Sequence, residues 1–168
     1  MKHLSHNKGF TLIELLVVIA IMALLTGIIM SNLASSKGRA RDAKRISDLG
    51  NIQLALELYF DRCRQYPATS ASNDVSTLIG ASCTDQQGIT VPFTNYISKI
   101  PTPPVGAGQT SYGYAVNTSN TDYVLHAKLE GKSPVWDNSL GSAAPTLFTP
   151  SAFDCGNSSQ LNYCLGPK

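Results

Sequence analysis

The sequence predicts an α+β protein: a long, apolar N-terminal helix whose second half packs on a small antiparallel sheet. Three observations predict it. From Phe10 to Ser36 the only ionisable side chain is Glu14, and Leu15 to Leu25 is an unbroken apolar run. Ile46, Leu49, Ile52, Leu56, Tyr59 and Phe60 then recur at helical spacing. Tyr112, Tyr114 and Val116, and after them Tyr123, Leu125, Ala127 and Leu129, alternate with the period of a strand. The 168 residues suit one domain, or one domain with an appendage, and leave no room for a large multidomain enzyme. Charged residues make up only 14% of the chain, against roughly 25% in soluble globular proteins. A net charge of +2 removes the simplest argument for a strongly basic, nucleic-acid-binding domain.

The first element is apolar nearly all round. Leu12 to Met30 is 19 residues, enough for a helix to cross the roughly 30 Å hydrocarbon core of a bilayer. A helix apolar on almost every side reads as a membrane segment before it reads as a core helix. A secretory signal peptide would also begin with basic residues and an apolar run, ending at a small-residue cleavage site. Leu33-Ala34-Ser35 offers only a poor site, with Asn32 in an unfavourable position ahead of it.

The residues before the run are more specific. Lys8-Gly9-Phe10-Thr11-Leu12-Ile13-Glu14, followed by a long apolar helix, resembles the prepilin leader junction shared by type IV pilins and type II secretion pseudopilins. The resemblance covers roughly the first 30 residues. It implies the type IV pilin fold, with residues 1–9 a leader that a prepilin peptidase removes by cutting between Gly9 and Phe10. It also implies N-methylation of Phe10 and retention of the apolar segment in the mature protein. Implied partners are identical subunits in a helical filament, the inner or cytoplasmic membrane before assembly, and a pilus or secretion assembly platform with its ATPase.

Glu14 has a physical reason apart from the resemblance. A carboxylate at a helix centre in lipid costs about 2.5–3.5 kcal/mol, so an ionisable group there needs a partner and a purpose. In the first turn of a helix the dipole favours its negative charge. The resemblance implies a sharper partner, the Phe10 amine of a neighbouring subunit, which would set axial register during assembly. Topology carries a conflict. Lys37, Arg39, Arg41, Lys44 and Arg45 outnumber Lys2 and Lys8, so the positive-inside rule alone would place the C-terminal side in the cytoplasm. The cysteines and the resemblance place it outside.

No proline occurs between Phe10 and Tyr66, so the helix is expected to run on, as a filament-core segment over 10–36 and an amphipathic segment over 37–66. Gly27, Gly38 and Gly50 weaken it, each by up to about 1 kcal/mol relative to Ala. Many pilins carry a proline in the apolar segment; here Gly27 is the softest point. Tyr66-Pro67 ends the helix, because a residue before proline is pushed out of helical geometry.

Residues 67–168 form the expected head. Residues 67–110 read mostly as loop, with a helical turn near Val75 to Ile79 and a stiff Pro101-Thr102-Pro103-Pro104 approach to the sheet. Asn117 to Asp122 supplies the turn between two strands. Glu130-Gly131-Lys132 makes a second turn into Pro134 to Asp137, giving an antiparallel meander of three or so strands. Residues 138–168 read as loop.

Four cysteines outside the membrane imply disulfides, with three pairings open. Cys155 and Cys164 enclose eight residues and resemble the bonded loop that closes many pilin heads. Cys63 with Cys83 would then tie the helix end to the following loop, and local pairing is favoured. The chain has no C-x-x-C for zinc or thioredoxin-like chemistry, and none of G-x-S-x-G, H-E-x-x-H or a P-loop. His126, the one histidine beyond the leader, falls on the polar face of its strand and reads as solvated. No enzymatic activity and no cofactor are expected. Some pseudopilins bind calcium after the sheet, and Asp122 and Asp137, with Asn120 and Asn138, are weak candidates without ordered spacing. Asn117-Thr118-Ser119 and Asn157-Ser158-Ser159 match the glycosylation sequon by chance. The basic cluster at 37–45, with Arg39, Arg41 and Arg45, could hold DNA phosphates or acidic lipid headgroups, with an acidic neighbouring head, or the membrane face before assembly, as the plainer partner.

The expected function is a structural subunit of a type IV pilus-like surface filament, membrane-anchored as a precursor with its head outside. A type II secretion or competence pseudopilin is the alternative. A membrane-anchored extracellular binding module that never polymerises is the rival from another class.

Overall fold

The computed structural model describes residues 9–68, 73–131, 153–155 and 161–167, and leaves the side chains at 28, 30–32 and 34 outside the description. The expected strand at Pro134 to Asp137 and the sequon at Asn157 lie outside the described residues. The architecture is α+β: one long helix with small antiparallel sheets, the arrangement of the pilin fold. The helix, α1, runs over Leu12–Cys63, 52 residues, unbroken through Gly27, Gly38 and Gly50. The chain divides into two compact units, residues 1–37 and 38–168.

In the first unit the large apolar side chains of α1 face solvent, among them Leu12, Ile13, Leu16, Ile19 and Leu24. Among the described residues no helix is long and apolar enough to cross a membrane.

In the second unit α1 becomes one-sided. Leu49, Ile52, Ala55, Leu56 and Tyr59 are buried, whereas Leu54 and Leu58 stay exposed, as the 3.6-residue period demands. The helix stops at Cys63, where Arg64 turns left-handed at φ 57° and donates its N–H to the Phe60 carbonyl at 2.7 Å, closing the last turn.

The segment expected to be mostly loop holds more structure than its sequence announces. Asp74 accepts the Ser76 N–H and starts a 3-10 helix over Val75–Gly80 that buries Val75 and Leu78, at the position of the expected helical turn. A hairpin follows, β1 (Ser82–Thr84) against β2 (Thr90–Pro92), in register at Cys83 and Val91. Its turn is closed by Asp85, whose Oδ1 accepts the N–H groups of Gln87 and Ile89, and Arg62 Nη2 lies 2.9 Å from Oδ2. Cys63 is bonded to Cys83, so the helix end and this hairpin are covalently joined.

The main sheet has the order β3–β4–β5, all antiparallel, with β3 at Gly113–Val116, β4 at Tyr123–Lys128 and β5 at Asn162–Leu165. The third described strand therefore comes from residues that read as loop in the sequence. Four residues are too few to show a period, and β5 is specified by pairing with β4 and by the Cys155–Cys164 bond. One sheet face packs on α1 through tyrosines. Tyr112 donates its hydroxyl to Asp48 at 2.8 Å, Tyr123 to Glu57 at 2.9 Å, and Tyr114 to the Pro67 carbonyl at 2.7 Å. Burial and the neighbouring carboxylates push the Tyr112 and Tyr123 phenols well above their ordinary range. A buried phenol without a partner would cost about 1–3 kcal/mol, so these bonds fix where α1 sits on the sheet.

The other face carries a second, smaller core of Ala115, Val124, Cys155 and Cys164 with Phe153. Phe153 lies over Gly113, where a Cβ would run into its ring. His126 is on this face but is not solvated. It stacks on Phe153 at 4.6 Å and bonds Asn162 Oδ1 at 3.0 Å. A strand's polar face reads as solvent only until another segment covers it.

Candidate functional site

Two sets of side chains carry the chain's chemistry: those at the start of α1 and the charges along its second half. At the start, Gly9 and Phe10 precede the helix and are exposed, Phe10 at 88%. Among the described residues nothing lies within 4 Å of the position a Gly9 Cβ would take.

Glu14 is tied to Thr11. The Thr11 N–H and hydroxyl both donate to Glu14 Oε2, at 2.8 and 2.7 Å, and the Glu14 N–H points back at Thr11 Oγ1 at 3.4 Å. With Leu12 the first helical residue, Thr11 is the N-cap and Glu14 the third position, which is a capping box. Its signal, T-x-x-E ahead of an apolar run, stands in the sequence as Thr11-Leu12-Ile13-Glu14 but was absorbed into the longer motif around it. The box gives Glu14 an intrachain partner and fixes the helix start two residues after the Gly9–Phe10 bond. Among the described residues none donates to Oε1.

The basic residues at 37–45 are not a free patch. Arg45 is fully buried and pairs with Asp42 at 2.7 Å and Glu130 at 2.8 Å, while its Nη2 donates to the Pro104 carbonyl at 2.9 Å. Arg41 forks onto the two Glu130 oxygens, and Lys44 pairs with Asp48. Asp42 also accepts the N–H groups of Glu130 and Gly131. These contacts hold Glu130 at a pKa of about 2 through the Arg41 and Arg45 guanidiniums. Gly106, at φ +137°, brings the Pro104 loop over this cluster, where any Cβ would strike the Glu130 carboxylate. Arg41 and Arg45, read from the sequence as candidates for DNA phosphates, thus already have acidic partners in the same chain. Both are consumed inside the head, and Arg39 alone of the three is exposed without a described partner. A basic run on a helix reads as solvated until its acidic partners, here Glu130 far along the chain, fold onto it.

The remaining candidates fall as follows. Cys63 pairs with Cys83, and Cys155 with Cys164. Asp122 Oδ1 accepts the Tyr123 N–H at 2.8 Å, and the Asn120 carbonyl accepts the Tyr66 N–H, so both serve the hairpin. Asp137 and Asn138 lie outside the described residues. Among the described residues no group of three or more His, Cys, Asp or Glu side chains could hold a metal. Asn117 of the sequon uses its side chain within the turn, donating to Thr121 Oγ1 and accepting the N–H groups of Thr121 and Asp122.

The family model for the prokaryotic N-terminal methylation motif matches residues 4–30. The type II secretion system core protein G of Klebsiella pneumoniae is 31% identical over 104 residues, 62% of this chain and 73% of that protein. The core protein G of Pectobacterium carotovorum is 30% identical over 100 residues, 60% of this chain and 63% of that protein. The type IV wide pilus major component of Thermus thermophilus is 38% identical over 69 residues, 41% of this chain and 53% of that protein. No solved structure matches the chain.

Proposed function

The chain belongs to the family of the type II secretion system core protein G, pilin-like subunits that begin with the prokaryotic N-terminal methylation motif, and we propose that it is a non-enzymatic building block of a helical filament of identical copies. The observation that carries this reading is the start of α1: an exposed Gly9–Phe10 pair, a capping box, and an apolar helix whose side chains find no cover in their own unit. A prepilin peptidase removes residues 1–9, and methylation follows at the Phe10 amine. The apolar half of α1 anchors the precursor in the membrane, head outside, until a platform with its ATPase extracts it. In the filament Glu14 keeps Thr11 on Oε2 and takes the Phe10 amine of a neighbour on Oε1, which sets the axial register.

The test is electron microscopy of filaments from cells carrying the full chain or its Glu14→Ala variant. The reading expects filaments from the former and a severe loss from the latter. Normal assembly by Glu14→Ala would sink the registry role. A filament of the secretion kind is favoured by the core protein G relatives, and a surface pilus by the Cys155–Cys164 closure of the head. Deleting the chain separates them: a secretion filament leaves exported proteins behind in the cell, whereas a pilus leaves export intact and the surface bare.

A further inference from the structure

Beside the far end of α1 the head holds a cleft of about 570 Å³, within the range of roughly 300–1,000 Å³ typical of small-molecule sites. Its walls are Tyr59, the turn from Gln65 to Ala68, the stretch from Gly80 to Ser82 with Thr77, and Asn120. The fold ties these pieces together. The Cys63–Cys83 bond joins the segment that carries Gln65 to the strand that carries Ser82. The Tyr66 N–H donates to the Asn120 carbonyl at 2.7 Å, and the Tyr114 hydroxyl to the Pro67 carbonyl at 2.7 Å. The cleft is therefore built before a ligand arrives, which lowers the ordering cost of binding.

Its chemistry is neutral and rich in hydrogen-bonding groups. Tyr66, Tyr112, Tyr114 and Tyr123 each donate their hydroxyl within the head. Tyr59 is 2% exposed, its ring held edge-on by Phe93 at 5.6 Å and Tyr96 at 6.1 Å, yet among the described residues its hydroxyl has no hydrogen-bond partner. A buried phenol left unbonded is costly, and a ligand oxygen in the cleft would satisfy it. Gln65, Ser82 and Asn120 add two amides and a hydroxyl to the same walls. Such groups both donate and accept, as the adjacent hydroxyls of a sugar require. Pro67, Ala68 and Ala81 supply apolar wall for its C–H surface. No lining residue is charged, so an ionic ligand would be desolvated there without a counter-charge.

We infer that this cleft is a binding site for a neutral sugar, with the Tyr59 hydroxyl as the buried donor and the Gln65 amide as a contact at the rim. The site lies within the head and stands whether or not the chain polymerises.

The experiment is a ligand-observed NMR titration of the full-length chain in a detergent without a sugar headgroup. The probes are glucose, galactose, mannose and N-acetylglucosamine, with glucuronate as the charged comparison. Saturable binding of at least one neutral sugar is expected, tighter than that of glucuronate. Tyr59→Phe keeps the ring against Phe93 and Tyr96 and removes only the hydroxyl. It is expected to weaken binding about threefold to tenfold, the scale of one hydrogen bond, with head unfolding by calorimetry unchanged. Should that variant unfold the head, exposed Gln65→Ala carries the same test, with a loss of about threefold expected. No saturable binding of any neutral sugar, tighter binding of glucuronate, or binding that the folded variant leaves unchanged would overturn the inference.

Discussion

The two halves of α1 share one backbone and treat their apolar side chains in opposite ways. In the first half, Leu12, Ile13, Leu16 and Leu24 stand in solvent, with Leu12 82% exposed. In the second half, Leu49, Ile52 and Leu56 are fully buried under the sheet. The polar groups divide likewise. Asp48 and Glu57 in the second half are held by tyrosine hydroxyls of the same chain, whereas among the described residues Glu14 has only Thr11. One half is finished by its own chain, and the other is left for a membrane or another copy to finish. Removing a side chain from the finished half should cost folding, and removing one from the unfinished half should cost assembly instead.

The largest expected effect breaks the finished half. Leu56→Ala should cost the head about 2–5 kcal/mol, seen as a lower midpoint in denaturant. Leu16→Ala, the same change in the first half, should leave that midpoint within about 0.5 kcal/mol. A next, smaller effect comes from Glu130→Gln, which removes a partner from buried Arg45 while Asp42 remains. We expect a loss of about 1–3 kcal/mol from the head.

Acid should reproduce part of that loss. Glu130 has its pKa lowered from 4.5 to about 2, so its stabilisation is complete above pH 4.5 and is lost as pH falls toward 2. Burial also lowers His126 below its ordinary 6.5, so the neutral ring favours folding above that pH and its protonation opposes folding as pH falls below it. Unfolding followed from pH 7 to pH 2 should fall in two stages, and His126→Gln should remove the earlier one. Thr11→Val breaks the capping box and should weaken the first turn of α1 by about 1 kcal/mol. Faster amide exchange at residues 12–15 would register it while the head midpoint stays fixed. Smallest of all, Gly50→Ala should raise the head midpoint by up to about 1 kcal/mol, since its methyl group meets nothing in the chain.

Much of this division was legible in the sequence. The uncharged run after Glu14 and the spacing of Ile46 to Phe60 mark the two halves of the helix, because period and composition are local properties. The Tyr112 and Tyr123 strands were legible for the same reason. What stayed hidden depends on contacts between distant residues. β5 has four residues and exists because β4 and a disulfide hold it. His126 looked solvated because Phe153, which covers it, comes 27 positions later. Arg41 and Arg45 looked free because Glu130 is 89 residues from Arg41. The capping box at Thr11 and Glu14 is local and was readable.

The central claim is that the chain enters a filament through its processed apolar end. The measurement that tests it most directly is the intact mass and N-terminal sequence of the protein isolated from cells. The account predicts a chain beginning at Phe10, with residues 1–9 gone and one added methyl group on the terminal amine. A mature chain that keeps residues 1–9, or one cut after Ala34 and so stripped of its apolar helix, would contradict it.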